Sequence, residues 1–161
     1  MVERQYVIFK LEDEEYGVDI KNVREITVNK TTTRIPNTPD FIDGVINIRG
    51  DTIPIIDLKK RFNIAEKEIN GKAKRIIIVN VEDKLVGFIV DDASQVIRIN
   101  TDDIENPPEI LTGINRSYIS GIGKVNERII VLIDLERLLS YKERNIIQNS
   151  FGEDLENKKE N

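Results

Sequence analysis

The chain repeats itself. Residues 9–26, FKLEDEEYGVDIKNVREI, align with residues 79–96, VNVEDKLVGFIVDDASQV, at a constant offset of 70. Glu12-Asp13 falls on Glu82-Asp83, Gly17 on Gly87, Ile20 on Val90 and Ile26 on Val96. A second block, GVINIRGDTIPIIDLKKRF at 44–62, aligns with GIGKVNERIIVLIDLERLL at 121–139 at an offset of 77. There Gly44 meets Gly121, Ile53 meets Ile130, and Ile56-Asp57-Leu58 meets Ile133-Asp134-Leu135. The offset grows because the second copy carries a longer connection at 100–120. Internal repetition of this length makes each copy one structural unit and the chain a tandem duplication.

Each copy reads as β structure. YVIFKL, EYGVDI, REITV, GVINI, TIPIIDL, RIIIVNV, LVGFIV, QVIRI and RIIVLIDL are short, rich in β-branched residues, and bounded by Gly, Asp, Asn or Pro. Four or five such strands in about 70 residues describe a small closed barrel, and closure removes exposed edges. Ile76 to Val79, Ile53 to Ile56 and Ile129 to Ile133 are apolar at every position, so both faces of those strands need cover. One face fills its own barrel and the other meets the second copy. The expectation is an all-β fold with minor helices, two barrels of about five strands sharing an apolar interface. Residues 1–73 form the first repeat, 74–143 the second, and 144–161 a helix end and polar, disordered tail. Exchange of strands between the copies, with 1–12 completing the second barrel and 74–81 the first, is compatible with the same pattern. Short helical turns are expected at 21–26, at DLKKRF and at 134–148, the last two with Asp as N-cap.

Composition excludes much chemistry. With no His and no Cys among 161 residues there is no Ser-His-Asp triad, thiol nucleophile, disulfide or ordinary zinc or haem site. NGKAK and GIGKV lack the spacing of a phosphate loop. Asp91-Asp92 and Asp102-Asp103 lack the alternation and glycine of a calcium loop and read as exposed turns. No catalytic set, cofactor or metal is expected. The net charge of −5 argues against nucleic-acid binding, and the basic stretches LKKRF (58–62) and GKAKR (71–75) read as solvated surface. No apolar run is long enough to span a membrane, and MVERQYVIFK lacks the features of a signal peptide. Zero cysteines fit a reducing compartment, so a cytoplasmic location is expected.

The stretch VINIRGDTIPIIDL (45–58) holds the main functional question. Gly50 suits a three-residue hairpin loop requiring positive φ. Arg49 beside it reads, from the residue alone, as a solvated turn cation. Arg49-Gly50-Asp51 also matches the tripeptide of extracellular adhesion ligands, a very weak signal. A small-molecule-binding module or β-barrel enzyme is a further alternative, for which no acid, base and nucleophile set is visible.

The segment RIPNTPDFIDGVINIRGDTIPIIDL (34–58) resembles the signature of the bacterial chemotaxis coupling proteins of the CheW family. The matching residues are Pro36, Pro39, Gly44, Val45, Asn47, Arg49, Gly50, Pro54, Asp57 and Leu58. Upstream YVIFKLEDEEYGVDIKNVREI and downstream VGFIVDDASQVIRI and ISGIGKVNERIIVLIDLERLL fit the same family, so the resemblance covers about residues 3 to 143. It implies a two-barrel, non-catalytic adaptor that couples the cytoplasmic tips of methyl-accepting chemoreceptors to the regulatory domain of the histidine kinase CheA. It places the adaptor in the cytoplasm, recruited to membrane-associated receptor arrays without inserting into the bilayer. Arg49 matches a position implicated in receptor contact, and Glu25 matches another. Val23, Ile26, Val90 and Val96 sit at equivalent places in the two copies near where the barrels would meet; most such residues are core, and some would line an apolar groove suited to a helical hairpin. Gly44, Asn47 and Gly50 complete the receptor-binding set expected from the resemblance, which leaves the kinase-contacting residues open.

Overall fold

The computed structural model describes residues 2–67, 73–108 and 118–139. Its strands are β1 (Glu3–Leu11), β2 (Glu14–Asp19), β3 (Val23–Val28), β4 (Ile42–Ile48), β5 (Asp51–Asp57), β6 (Arg75–Val81), β7 (Lys84–Val90), β8 (Asp92–Asn100), β9 (Ile104–Glu105), β10 (Ile119–Val125) and β11 (Arg128–Ile133). Two short helices, α1 (Leu58–Arg61) and α2 (Leu135–Leu138), follow β5 and β11. Asp57 and Asp134 cap them, accepting the backbone N–H of Lys60 and of Glu136 and Arg137. The offset of 77 carries β4 and α1 onto β10 and α2 without slippage. The expected turn near 21–26 is a 3-10 turn at Ile20–Asn22, while the helical reading of 134–148 lies beyond Leu139 outside the described residues.

The sheets do not follow the order of the repeats. One has the order β3-β6-β7-β5-β4, the other β8-β1-β2-β11-β10-β9. The β1–β2 hairpin of the first copy therefore sits in the sheet of the second, and β6–β7 sits in the sheet of the first. Each visiting hairpin joins its host on both sides, antiparallel at β1–β8 and β6–β3 and parallel at β2–β11 and β7–β5. Gly87 lies opposite Ile55, and its repeat counterpart Gly17 lies opposite Leu132. A Cβ on Gly87 would stand 2.6 Å from Ile55 Cδ1, and one on Gly17 2.9 Å from Leu132 Cδ2. Both copies thus leave out a side chain where the partner strand's branched residue turns inward. Hydrogen bonding does not run all the way around: among the described residues no ladder joins β3 to β4, or β8 to β9. Closure expected from the strand pattern is left to side chains at those edges.

Alternation along the exchanged strands accounts for their doubly apolar faces. On β6, Ile76 and Ile78 enter a core with Ile46, Ile48, Ile53, Ile55 and Ile89. Ile77, Val79 and Val81 point the other way, into a core shared with Phe9, Leu11, Phe88, Leu135 and Leu138. Tyr6, Ile8, Ile99, Ile130 and Leu132 fill the second barrel. The shared core is the largest of the three, and the rings of Phe9, Tyr16, Phe62 and Tyr118 stack through it at centroid spacings of 5.6, 6.3 and 5.4 Å. Phe88 is fully buried there, so Phe88→Ala should cost about 3–5 kcal/mol. One residue of the basic stretch 58–62 departs from the solvated reading: Lys59 is only 5% exposed.

Candidate functional site: the β4–β5 turn and its ion pair

The turn joining β4 to β5 is tighter than the expected three-residue loop. Ile48 pairs directly with Asp51, leaving a two-residue connection, Arg49-Gly50. Both have positive φ, 50° and 88°, the geometry of a type I′ hairpin turn. The twist of that turn matches the twist of the strands, so the ladder continues to the last pair. Asn47 Oδ1 accepts the Gly50 N–H at 3.1 Å and braces the loop.

A type I′ turn favours Asn, Asp or Gly at its first central position, because a longer side chain there crowds the backbone. The second copy obeys this. Asn126, the counterpart of Arg49, has φ 47° in the β10–β11 turn. The first copy instead places an arginine in the left-handed region. Its side chain does not lie idle: Arg49 Nη2 donates to Glu25 Oε1 at 2.5 Å. Glu25 belongs to β3 and Arg49 follows β4, so the pair spans the two end strands that no ladder joins. The arginine side chain remains 75% exposed and the carboxylate 32%, which leaves further guanidinium N–H groups open to solvent.

The second barrel carries a different polar cluster, which does not reach its end strand β9. Gln95 stands where Glu25 would be, and accepts from Arg128 at 3.3 Å. Arg128 also donates through Nε to Glu15 Oε1 at 3.0 Å and through Nη2 to Glu15 Oε2. Hydrogen bonds from Arg128 hold the Glu15 carboxyl below its usual range, against the smaller opposing effect of burial. The two ends of the molecule thus share a backbone plan and differ in their polar chemistry.

The remaining candidate residues separate into surface and scaffold. A bulge in β3 pairs Val23 with Val79 and Glu25 with Ile78, so Arg24 is the extra residue. Val23 and Ile26 consequently face the same side. Val23 packs against the shared core, whereas Ile26 is 37% exposed and continues into exposed Val28. Val96, the repeat counterpart of Ile26, is also exposed, on β8 of the other sheet. Val90 departs from the expected groove: it is 1% exposed in the shared core and presents no surface to a partner. Gly44 is buried at φ 147°, and a Cβ there would meet the Thr33 carbonyl oxygen at 2.4 Å. Its duty is the close approach of the 32–33 segment, where Thr33 and Val45 exchange backbone hydrogen bonds at 2.9 Å. Arg49, Glu25, Asn47 and Gly50 are the members brought together at one place.

No helix among the described residues is long and apolar enough to cross a membrane. The sequence matches the CheW-like domain family over residues 5–143. It is 40% identical over 149 residues to the chemotaxis protein CheW of Klebsiella aerogenes, covering 92% of this chain and 89% of that one. The CheW of Treponema pallidum is 35% identical over 148 residues, covering 90% and 87%. Among solved structures, the scaffolding protein TtCheW of Thermoanaerobacter tengcongensis superposes with a TM-score of 0.79 at 40% identity, covering 89% of this chain and 92% of that one. The duplicated β units, the exchanged hairpins and the match over nearly the whole described chain have one reading: the chain belongs to the CheW family of chemotaxis scaffold and adaptor proteins.

Proposed function

We propose that this chain is the cytoplasmic adaptor that couples chemoreceptor tips to the histidine kinase CheA, and that Arg49 with Glu25 forms part of its receptor-facing surface. The observation that carries the assignment of the site is the arginine in a turn position made for asparagine. A left-handed residue other than Gly costs of order 1–2 kcal/mol, with Asn and Asp penalised less. The duplicated turn keeps Asn126 at that position. An exposed ion pair contributes about 0–1 kcal/mol, too little to offset that strain with a margin. Glu12 and Glu82 hold the same left-handed position in their own two-residue turns, φ 54° and 51°, so what sets Arg49 apart is a guanidinium left 75% exposed beside its ion pair and open to recognition. Its planar fork can hold Glu25 with one N–H and leave others for a carboxylate or helix-end carbonyl on a partner.

The direct test is co-sedimentation of the purified chain with a chemoreceptor cytoplasmic fragment and a CheA regulatory domain, each alone and both together. The adaptor reading expects binding to each and a ternary complex. Failure to bind either partner, by a folded protein, would overturn it.

A further inference from the structure

We propose that Lys59 is a latch that fixes the orientation of the two sheets relative to each other. It lies on α1, which packs on β5 and β7 of the first sheet. Its ammonium is buried, with a side chain 7% exposed, and meets three carboxylates from three places in the chain. Glu12 Oε1 accepts at 2.7 Å, Glu66 Oε1 at 3.0 Å and Asp91 Oδ1 at 3.0 Å. Three N–H bonds find three acceptors, so the group is fully satisfied.

The origin of those acceptors gives the cluster its meaning. Glu12 lies in the β1–β2 turn, which belongs to the second sheet. Asp91 is the single residue between β7 of the first sheet and β8 of the second. Asp91 Oδ2 also accepts the Glu12 N–H at 2.6 Å, tying the crossover to that turn. Glu66 follows α1 on Lys59's own side and is steadied by Lys74 at 2.7 Å. Lys59 thus grips one contact from the far sheet and one from the junction. Nearby, Phe62 enters the ring stack between Tyr16 and Tyr118, and Arg61 donates to the Leu138 carbonyl at 3.2 Å. The cluster is not a by-product of the duplication, since the counterparts of Lys59 and Glu12 are Glu136 and Glu82, two acids.

The large apolar interface already holds the sheets together, but apolar contact is non-directional. Burying a charge is seldom the most stable solution, since apolar replacements of a satisfied ionic cluster are often equal or better. A lysine kept in this position is accounted for by geometry: short charged bonds tolerate little sliding of one sheet on the other.

The test uses the absence of native cysteine. Lys84→Cys on the first sheet and Ile129→Cys on the second, both at exposed positions, carry spin labels for distance measurement in the full chain. Lys59→Met alone leaves unpaired carboxylates, so the informative variant combines it with Glu12→Gln and Asp91→Asn. That variant should remain folded while its inter-label distances broaden or shift from those of the parent. Glu66→Gln, which removes only the partner on Lys59's own side, should leave them in place. A folded triple variant with the parental distances would overturn the latch, as would an equal change in Glu66→Gln.

Discussion

Arg49 shows how one side chain can be read against its own duplicate. The turn geometry asks for Asn, the second copy has Asn126, and the first copy has an arginine bonded to Glu25. Arg49→Asn should relieve the left-handed strain while losing an exposed ion pair, so thermal melting should hold or rise slightly. Arg49→Ala keeps the strain and loses the pair, a surface change expected within about 0.5 kcal/mol. In the proposed role both substitutions should weaken receptor-fragment binding by about thirtyfold, corresponding to a hot spot of about 2 kcal/mol. Arg49→Lys should restore only part, since it returns the charge without the planar fork. Calorimetry and titration on the same samples separate the outcomes. Loss of folding in Arg49→Ala would make the pair a structural brace, and unchanged affinity would return Arg49 to the role of a soluble turn residue.

At the scale of elements, the parallel contacts between visiting hairpin and host strand are points where the exchange can be broken. Gly87→Val would put a Cβ 2.6 Å from Ile55 Cδ1, in a strand that is otherwise buried. Overpacking of that kind costs about 1–3 kcal/mol, and denaturant unfolding should show it as a lowered midpoint. The Glu15–Arg128 bond makes a second test, by pH. Glu15 has a depressed folded-state pKa, so its contribution is present above its unfolded value near 4.5 and is lost as pH falls through the folded one. Melting temperature should therefore drop on acidification below about pH 4.5, and drop less steeply in Glu15→Gln. Much of this architecture was legible in the chain. β-branched runs marked β1 to β8 and β11, and the repeat offsets marked equivalent elements. Local composition announced neither the two-residue β9 nor β10, where Gly121 and Gly123 lower the intrinsic propensity and the alignment with GVINIRG carried the signal. The site was legible less evenly. Arg49 and Glu25 could be paired from the family pattern, but the αL strain depends on a two-residue loop that Ile48–Asp51 pairing alone reveals. Lys59 was hidden in a basic stretch, since its acids come from positions 12, 66 and 91 and share no local pattern. Val90 illustrates the opposite error, an apolar residue whose place beside the junction suggested a groove but whose side chain turns into the core.

Over the whole molecule, duplication with exchange yields two similar barrels whose outer ends have diverged. One end carries Arg49 and Glu25 across its open edge, and the other carries Arg128, Glu15 and Gln95. All backbone ladders lie within one sheet or the other, so the two barrels are joined by the chain crossings at Ile20–Asn22 and Asp91 and by the apolar core they share. An adaptor requires such an arrangement: two surfaces of unlike chemistry held at a fixed separation. The proposed receptor surface lies on the first barrel, leaving the second barrel's polar end and exposed Val96 and Ile129 for a different protein. Saturating amounts of an isolated CheA regulatory domain should then leave the affinity for a receptor fragment unchanged or improved. Arg49→Asn should reduce receptor binding alone, and retain kinase-domain binding within about twofold, the range of a surface change of roughly 0.5 kcal/mol. Competition titrations with one labelled partner and the other unlabelled read this directly. Mutual displacement, or equal loss of both partners in Arg49→Asn, would mean that the two bind one shared surface, and the divergence of the barrel ends would then need another explanation.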